Sequence, residues 1–120
     1  MPDNLITLNE AVQMTTLFRN EMEAILAQPY QGKNILAICE TFGRQAFDTL
    51  LTEDDCVGLR IYYGMSDDLQ VHAIVVGVNS KNEDILPAGG IAVPMTTTPV
   101  IIEDSLRCPD NCPPASPLNP

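Results

Sequence analysis

The first apolar pattern starts at Thr7-Leu8-Asn9-Glu10. This is a capping box, with the Thr7 hydroxyl placed to accept an amide hydrogen bond and Glu10 placed to reach back to the cap amide. A helix is predicted from that point. Ala11, Met14, Phe18, Met22 and Ile25 recur at steps of three and four, flanked by Leu17 and Leu26, so one face is apolar over about half the circumference. Gln28-Pro29-Tyr30-Gln31-Gly32 stops the helix near Ala27. Glu21 falls inside the apolar arc, between Leu17 and Met14 in projection. It is either a snorkelling edge residue or an acid paired at a subunit seam.

Ile35-Leu36-Ala37-Ile38-Cys39 suits either a buried strand or the first turns of a helix, and is read as a short strand. Gly43 is costly inside a helix and harmless just before one. The second helix is therefore predicted from near Gly43 to Leu51, with Ala46, Phe47, Leu50 and Leu51 as its core face. Thr52-Glu53-Asp54-Asp55 closes it with a turn. The stretches from Val57 to Tyr63 and from Leu69 to Val78 are β-branched, aromatic and aliphatic, and Gly64-Met65-Ser66-Asp67-Asp68 separates them. They read as an antiparallel hairpin. Alternation puts Leu59, Ile61 and Tyr63 on one face of the first strand and Arg60 and Tyr62 on the other. The second strand is apolar on both faces and is predicted to be central. Ile85-Leu86 begins a third strand, the segment from Pro87 to Pro99 is a loop, and Val100-Ile101-Ile102 returns as a short edge strand. The pattern predicts one α+β domain over residues 1–107: a long N-terminal amphipathic helix and a shorter second helix packed on a small, largely antiparallel sheet. Residues 108–120 form a Pro/Cys-rich tail.

Charge narrows the partners. Sixteen acids against six Lys and Arg give a formal charge of −10, a sign that repels nucleic-acid phosphates and anionic headgroups. No apolar run is long enough to span a bilayer and the N-terminus has no leader pattern, so a cytoplasmic protein is expected. Glu53-Asp54-Asp55, Asp67-Asp68, Glu83-Asp84 and Glu103-Asp104 read as solvated turns, since none has calcium-loop spacing.

Chemistry-bearing residues are sparse. Cys108 and Cys112 have a permissible spacing for half a zinc site, with Cys39, Cys56 or His72 as the remaining candidates. They also suit a small disulfide loop across Pro109-Asp110-Asn111. A reducing cytosol favours free thiols, which is the plain reading, and no cofactor is expected. Cys56 and His72, the single histidine, are the one nucleophile and base pairing available, without an elbow or oxyanion motif beside them. Arg60 in an apolar strand needs an acid, with Asp48 or Glu40 as candidates. Arg60, Tyr62 and His72 are the first choice for lining a small-molecule pocket.

Phe42-Gly43-Arg44, the strand Cys56-Val57-Gly58-Leu59-Arg60-Ile61-Tyr62-Tyr63-Gly64, Val76-Gly77-Val78 and the Cys108-Pro109-x-x-Cys112-Pro113 tail resemble a family of small uncharacterised bacterial proteins. The likeness runs through most of the chain from Thr7 onward, with the 87–99 loop longer than in the family. That family carries no established activity, so the resemblance implies relatives and no reaction. Two functions are therefore weighed. The first is a non-catalytic interaction module, with a protein partner or a second copy on its Met-bearing helix face. The second is a small-ligand or thiol/metal-binding protein using Arg60, His72 and the cysteines.

Overall fold

The Thr7 capping box closes as the sequence predicts: Glu10 N–H donates to Thr7 Oγ1 at 3.1 Å and Thr7 N–H donates to Glu10 Oε2 at 3.3 Å. In a computed structural model, which describes residues 3–87 and 99–120, the fold is α+β, with two helices and small sheets. The contacts group into two units, Met1–Cys39 with Arg107–Pro120, and Glu40–Leu106. Residues 108–120, set apart in sequence as a tail, thus belong with the N-terminal segment.

In the first unit α1 spans Leu8–Glu21 and is capped by Met22, ending short of the predicted Ala27. Bonds from the Pro29 side replace the missing turns. Glu23 Oε1 accepts the Gly32 N–H at 2.7 Å and Gln31 Nε2 donates to Leu26 O at 3.1 Å. The ladder between them tightens to Leu26 N–H on Glu23 O, the shorter spacing common at helix ends. The predicted strand Ile35–Cys39 is displaced as well. Asn34 turns the chain at φ 55°, and the buried Arg107 donates from Nη2 to Asn34 O at 2.9 Å and Ile35 O at 2.7 Å. A guanidinium thus takes carbonyls that a strand would present to a neighbour. The strand, β1, is Cys39–Thr41 and pairs with the last strand, β5, Leu106–Cys108. The chain passes from one unit to the other within each of these two strands.

Cys108 and Cys112 are joined in a disulfide, with Cα atoms 4.5 Å apart. This corrects the free-thiol reading. The turn Asp110-Asn111 brings the two together, as Asn111 N–H donates back to Arg107 O at 2.9 Å. Cys39 and Cys56 are free. Alkylation without reductant is expected to modify two thiols, against four after reduction. Closing a loop of this size constrains the unfolded chain by about 2 kcal/mol, so the Cys112→Ser variant should unfold about that much more easily. An unchanged midpoint would show that the bridge is not part of the folded state.

In the second unit α2 spans Arg44–Leu51 after Gly43, lies against the hairpin strands, and stacks Phe47 on Phe42 at 5.6 Å between ring centroids. Leu50 is 0% exposed, whereas Leu51, expected in the core, is exposed at the helix end. β2 (Cys56–Met65), β3 (Val71–Asn79) and β4 (Asp84–Ile85) form an antiparallel sheet with β3 in the middle. Ala73, Val75, Val76 and Val78 are buried and alternate between its two faces, as predicted. The hairpin turn is Ser66–Gln70 and not Gly64–Asp68. Gly64 stays in the strand because Ile74 lies over it: an added Cβ would sit 2.6 Å from Ile74 Cδ1. The predicted edge strand at 100–102 reduces to one bridge, in which Val75 and Ile102 exchange hydrogen bonds of 2.8 and 2.9 Å. Most of the predicted loop, 88–98, lies outside the described residues.

Candidate functional site

The three residues expected to line a pocket fall on one sheet face without sharing a site. The register sets Arg60 opposite Val76, Tyr62 opposite Ile74, and Gly64 opposite His72, so alternation turns Arg60, Tyr62 and His72 to the same side. Arg60 Nη1 meets Asp84 Oδ1 at 2.6 Å, and its Nη2 donates to Asn82 Oδ1 at 2.6 Å. The Tyr62 hydroxyl donates to the second oxygen of Asp84. Arg60 therefore pairs with Asp84 and with neither expected acid. Asp48 is held by Arg44 at 3.3 Å one helical turn away. Glu40 accepts the Ala73 N–H at 3.1 Å and the Ser105 hydroxyl at 2.8 Å. β4 was expected to start at Ile85, and it is the Asp84 position that makes the difference.

This cluster is closed on itself. The Asp84 carboxyl is held below the ordinary carboxylate range, first by the Tyr62 hydroxyl and then by Arg60, and Tyr62 is raised above the ordinary phenol range, chiefly by Asp84. A depressed carboxyl favours the folded state above its unfolded pKa and loses that contribution as pH falls through the folded one. The raised phenol contributes below its unfolded pKa and loses that contribution as pH rises through the folded one. Tyr62→Phe is therefore expected to move the Asp84 carboxyl upward in an NMR titration and to flatten the stability profile toward both acid and base. An Asp84 titration that does not move would remove the assigned bond.

His72 lies at the other end of the sheet, with Nδ1 3.3 Å from Glu103 Oε1, in a shallow groove of about 330 Å³ that also takes in Gly64, Met65, Ser66 and Ile74. Arg60 and Tyr62 do not line it. Cys56 pairs with Asn79, eight positions along β2 from Gly64 opposite His72, or roughly 25 Å at the strand rise. A nucleophile and base pairing of Cys56 with His72 is thereby ruled out. The disulfide occupies the sulfurs of Cys108 and Cys112, and among the described residues no three His, Cys, Asp or Glu group as a metal site.

The acid pairs are not uniformly solvated turns. Glu53 is buried, and its Oε2 accepts the Val100 N–H at 2.7 Å. Buried Glu53 and Arg107 are residues that periodicity could not single out, because their partners are backbone groups far away in sequence.

α1 presents the least expected surface. At 100° per residue, its half-buried positions, Ala11, Val12, Thr15, Thr16 and Arg19, share one side, which mixes two small apolar residues with three polar ones. Arg19 Nη1 donates from that side to Leu118 O at 2.6 Å and Nη2 donates to Thr16 Oγ1 at 3.3 Å. The apolar side is turned the other way. Met14 is 66% exposed, Leu17 63%, and Ile25 in the following turn 70%. None of the α1 residues is buried. Met14, Leu17, Phe18, Glu21, Met22 and Ile25 line an open groove of about 370 Å³. The sequence showed this amphipathic face but implied that it would pack inward, whereas the structure leaves Met14, Leu17, Phe18 and Ile25 outward and only Ala11, Met22 and Leu26 of the predicted face half-buried.

No protein-family model matches the chain, and no curated protein or solved structure matches it.

Proposed function

We propose that the protein is a non-catalytic interaction module whose binding surface is the outward apolar face of α1. The observation that carries this reading is the orientation of the helix: Ala11, Val12, Thr15, Thr16 and Arg19 are half-buried, while Met14, Leu17, Phe18 and Ile25 are exposed. An apolar strip of this kind on a monomer marks a contact surface. Methionines in it adapt to a partner's shape. No observation favours the small-ligand or thiol/metal reading with equal weight, since Arg60 is bound to Asp84 and the Cys108 and Cys112 sulfurs are bonded to each other.

The partner is a protein and not a nucleic acid, given a formal charge of −10. Among the described residues no helix is long and apolar enough to cross a membrane. A cytoplasmic site of action goes with this reading, and the disulfide is set against it, because a reducing cytosol keeps cysteines as thiols. Thiol counts from rapidly acidified cells decide between the two.

Comparative capture tests the module. Immobilised wild type should retain a partner that a folded Leu17→Asp variant releases, or should self-associate in sedimentation where the variant does not. A strict monomer that retains nothing removes the reading.

A further inference from the structure

The α1 groove has a charge pattern as well as an apolar floor. Glu21 lines it, and Glu10 projects to the same arc, three turns back along the helix. Arg19 is the only base between Leu8 and Leu26, and it sits on the opposite, half-buried side, holding the Leu118 carbonyl. The groove is therefore apolar with one carboxylate, Glu21, and no cation of its own, the Glu10 carboxylate being turned back to the Thr7 N–H. Its helical part, from Met14 to Glu21, extends about 10 Å at the helical rise, with Ile25 in the turn beyond. That length takes the i, i+3, i+4, i+7 anchors of one amphipathic helix.

We propose that the occupant of this groove is a cationic amphipathic helix of a partner protein, with its apolar anchors against Met14, Leu17, Phe18 and Ile25 and a Lys or Arg beside Glu21. The proposal rests on the α1 reading above and adds the class of partner. Charge selects that class. A second copy of this chain would bring the Glu21 carboxylates of both molecules to one seam without a cation, and like charges across an interface disfavour the pairing. A basic helix places a cation where Glu21 is, and the chain's formal charge of −10 draws it in from a distance. Cations at the rim set the association rate and its salt dependence, while the apolar anchors hold the complex.

The test uses the full chain and two synthetic amphipathic helices with the same leucine spacing, one with lysine and one with glutamate on the polar face. Binding is read by fluorescence anisotropy at near-physiological salt. The Leu/Lys peptide should bind and the Leu/Glu peptide should not. Leu17→Asp and Glu21→Lys should each weaken the Leu/Lys complex about tenfold or more, while Asp67→Lys, an exposed charge change in the other unit, should alter it less than about twofold. Circular dichroism confirms that each variant is folded. Binding that ignores Leu17 and Glu21 would be general attraction to an acidic surface and overturns the proposal. Absence of Leu/Lys binding with self-association of the wild type, abolished by Leu17→Asp, overturns the cationic occupant and leaves the α1 surface standing. Neither binding nor self-association overturns both.

Discussion

Leu50→Ala should lower the unfolding free energy by about 3 kcal/mol. Leu50 is the fully buried residue of α2, in the unit that also buries Val75, Val76 and Val78. Truncation removes apolar contacts and leaves a cavity, because β3, one of the strands α2 lies against, is held by strand pairing on both edges and cannot collapse into the space. For a chain whose total stability is on the order of 5–15 kcal/mol, the midpoint in denaturant should fall sharply with little change in slope. A loss below about 1 kcal/mol would mean that α2 does not pack on the sheet as described.

Gly77→Ala is expected to cost about 2 kcal/mol although it adds a single methyl group. An added Cβ would stand 2.7 Å from Glu53 Oε1 and 3.1 Å from Cys56 Sγ. A flexible carboxylate could ordinarily step aside. Here Glu53 is buried and its other oxygen holds the Val100 N–H at 2.7 Å, so moving it leaves a half-buried donor without its partner. The same substitution made with Glu53→Ala should cost less than the sum of the two single changes, because the collision is then gone. Strict additivity would place Glu53 elsewhere.

Much of the framework was readable from local chemistry. The Thr7 capping box, the α2 start after Gly43 and the doubly buried β3 each follow from a short-range rule: a cap, a glycine before a helix, an apolar run with no polar face. What eluded a one-dimensional reading depends on long-range partners. Ile35–Cys39 has strand composition, but Asn34 and the distant Arg107 take it out of extended pairing. Gly64 resembles a turn residue, yet its lack of a side chain serves Ile74 across the ladder. Arg60 needed an acid, and the acid was Asp84, 24 residues away, a choice made by β4 pairing.

The candidate site was half legible. The periodicity showed an apolar arc on α1 and an acid, Glu21, within it. Periodicity cannot say which way a helix turns, because that depends on what competes for the interior. In this structure Thr15, Thr16 and Arg19 share the half-buried side with Ala11 and Val12. The Cys108–Cys112 choice was undecidable from spacing for a related reason: both ring closure and free thiols fit four positions, and the Asn111 to Arg107 hydrogen bond that folds the turn is not written in the residue order.

The most direct measurement is the unfolding free energy of Leu17→Asp beside that of wild type. If the α1 apolar face is a surface held for a partner, a carboxylate at position 17 stays in water and the two values should agree within about 0.5 kcal/mol. A loss of about 3 kcal/mol or more, matching Leu50→Ala, would show that the face is core and that the helix is turned inward.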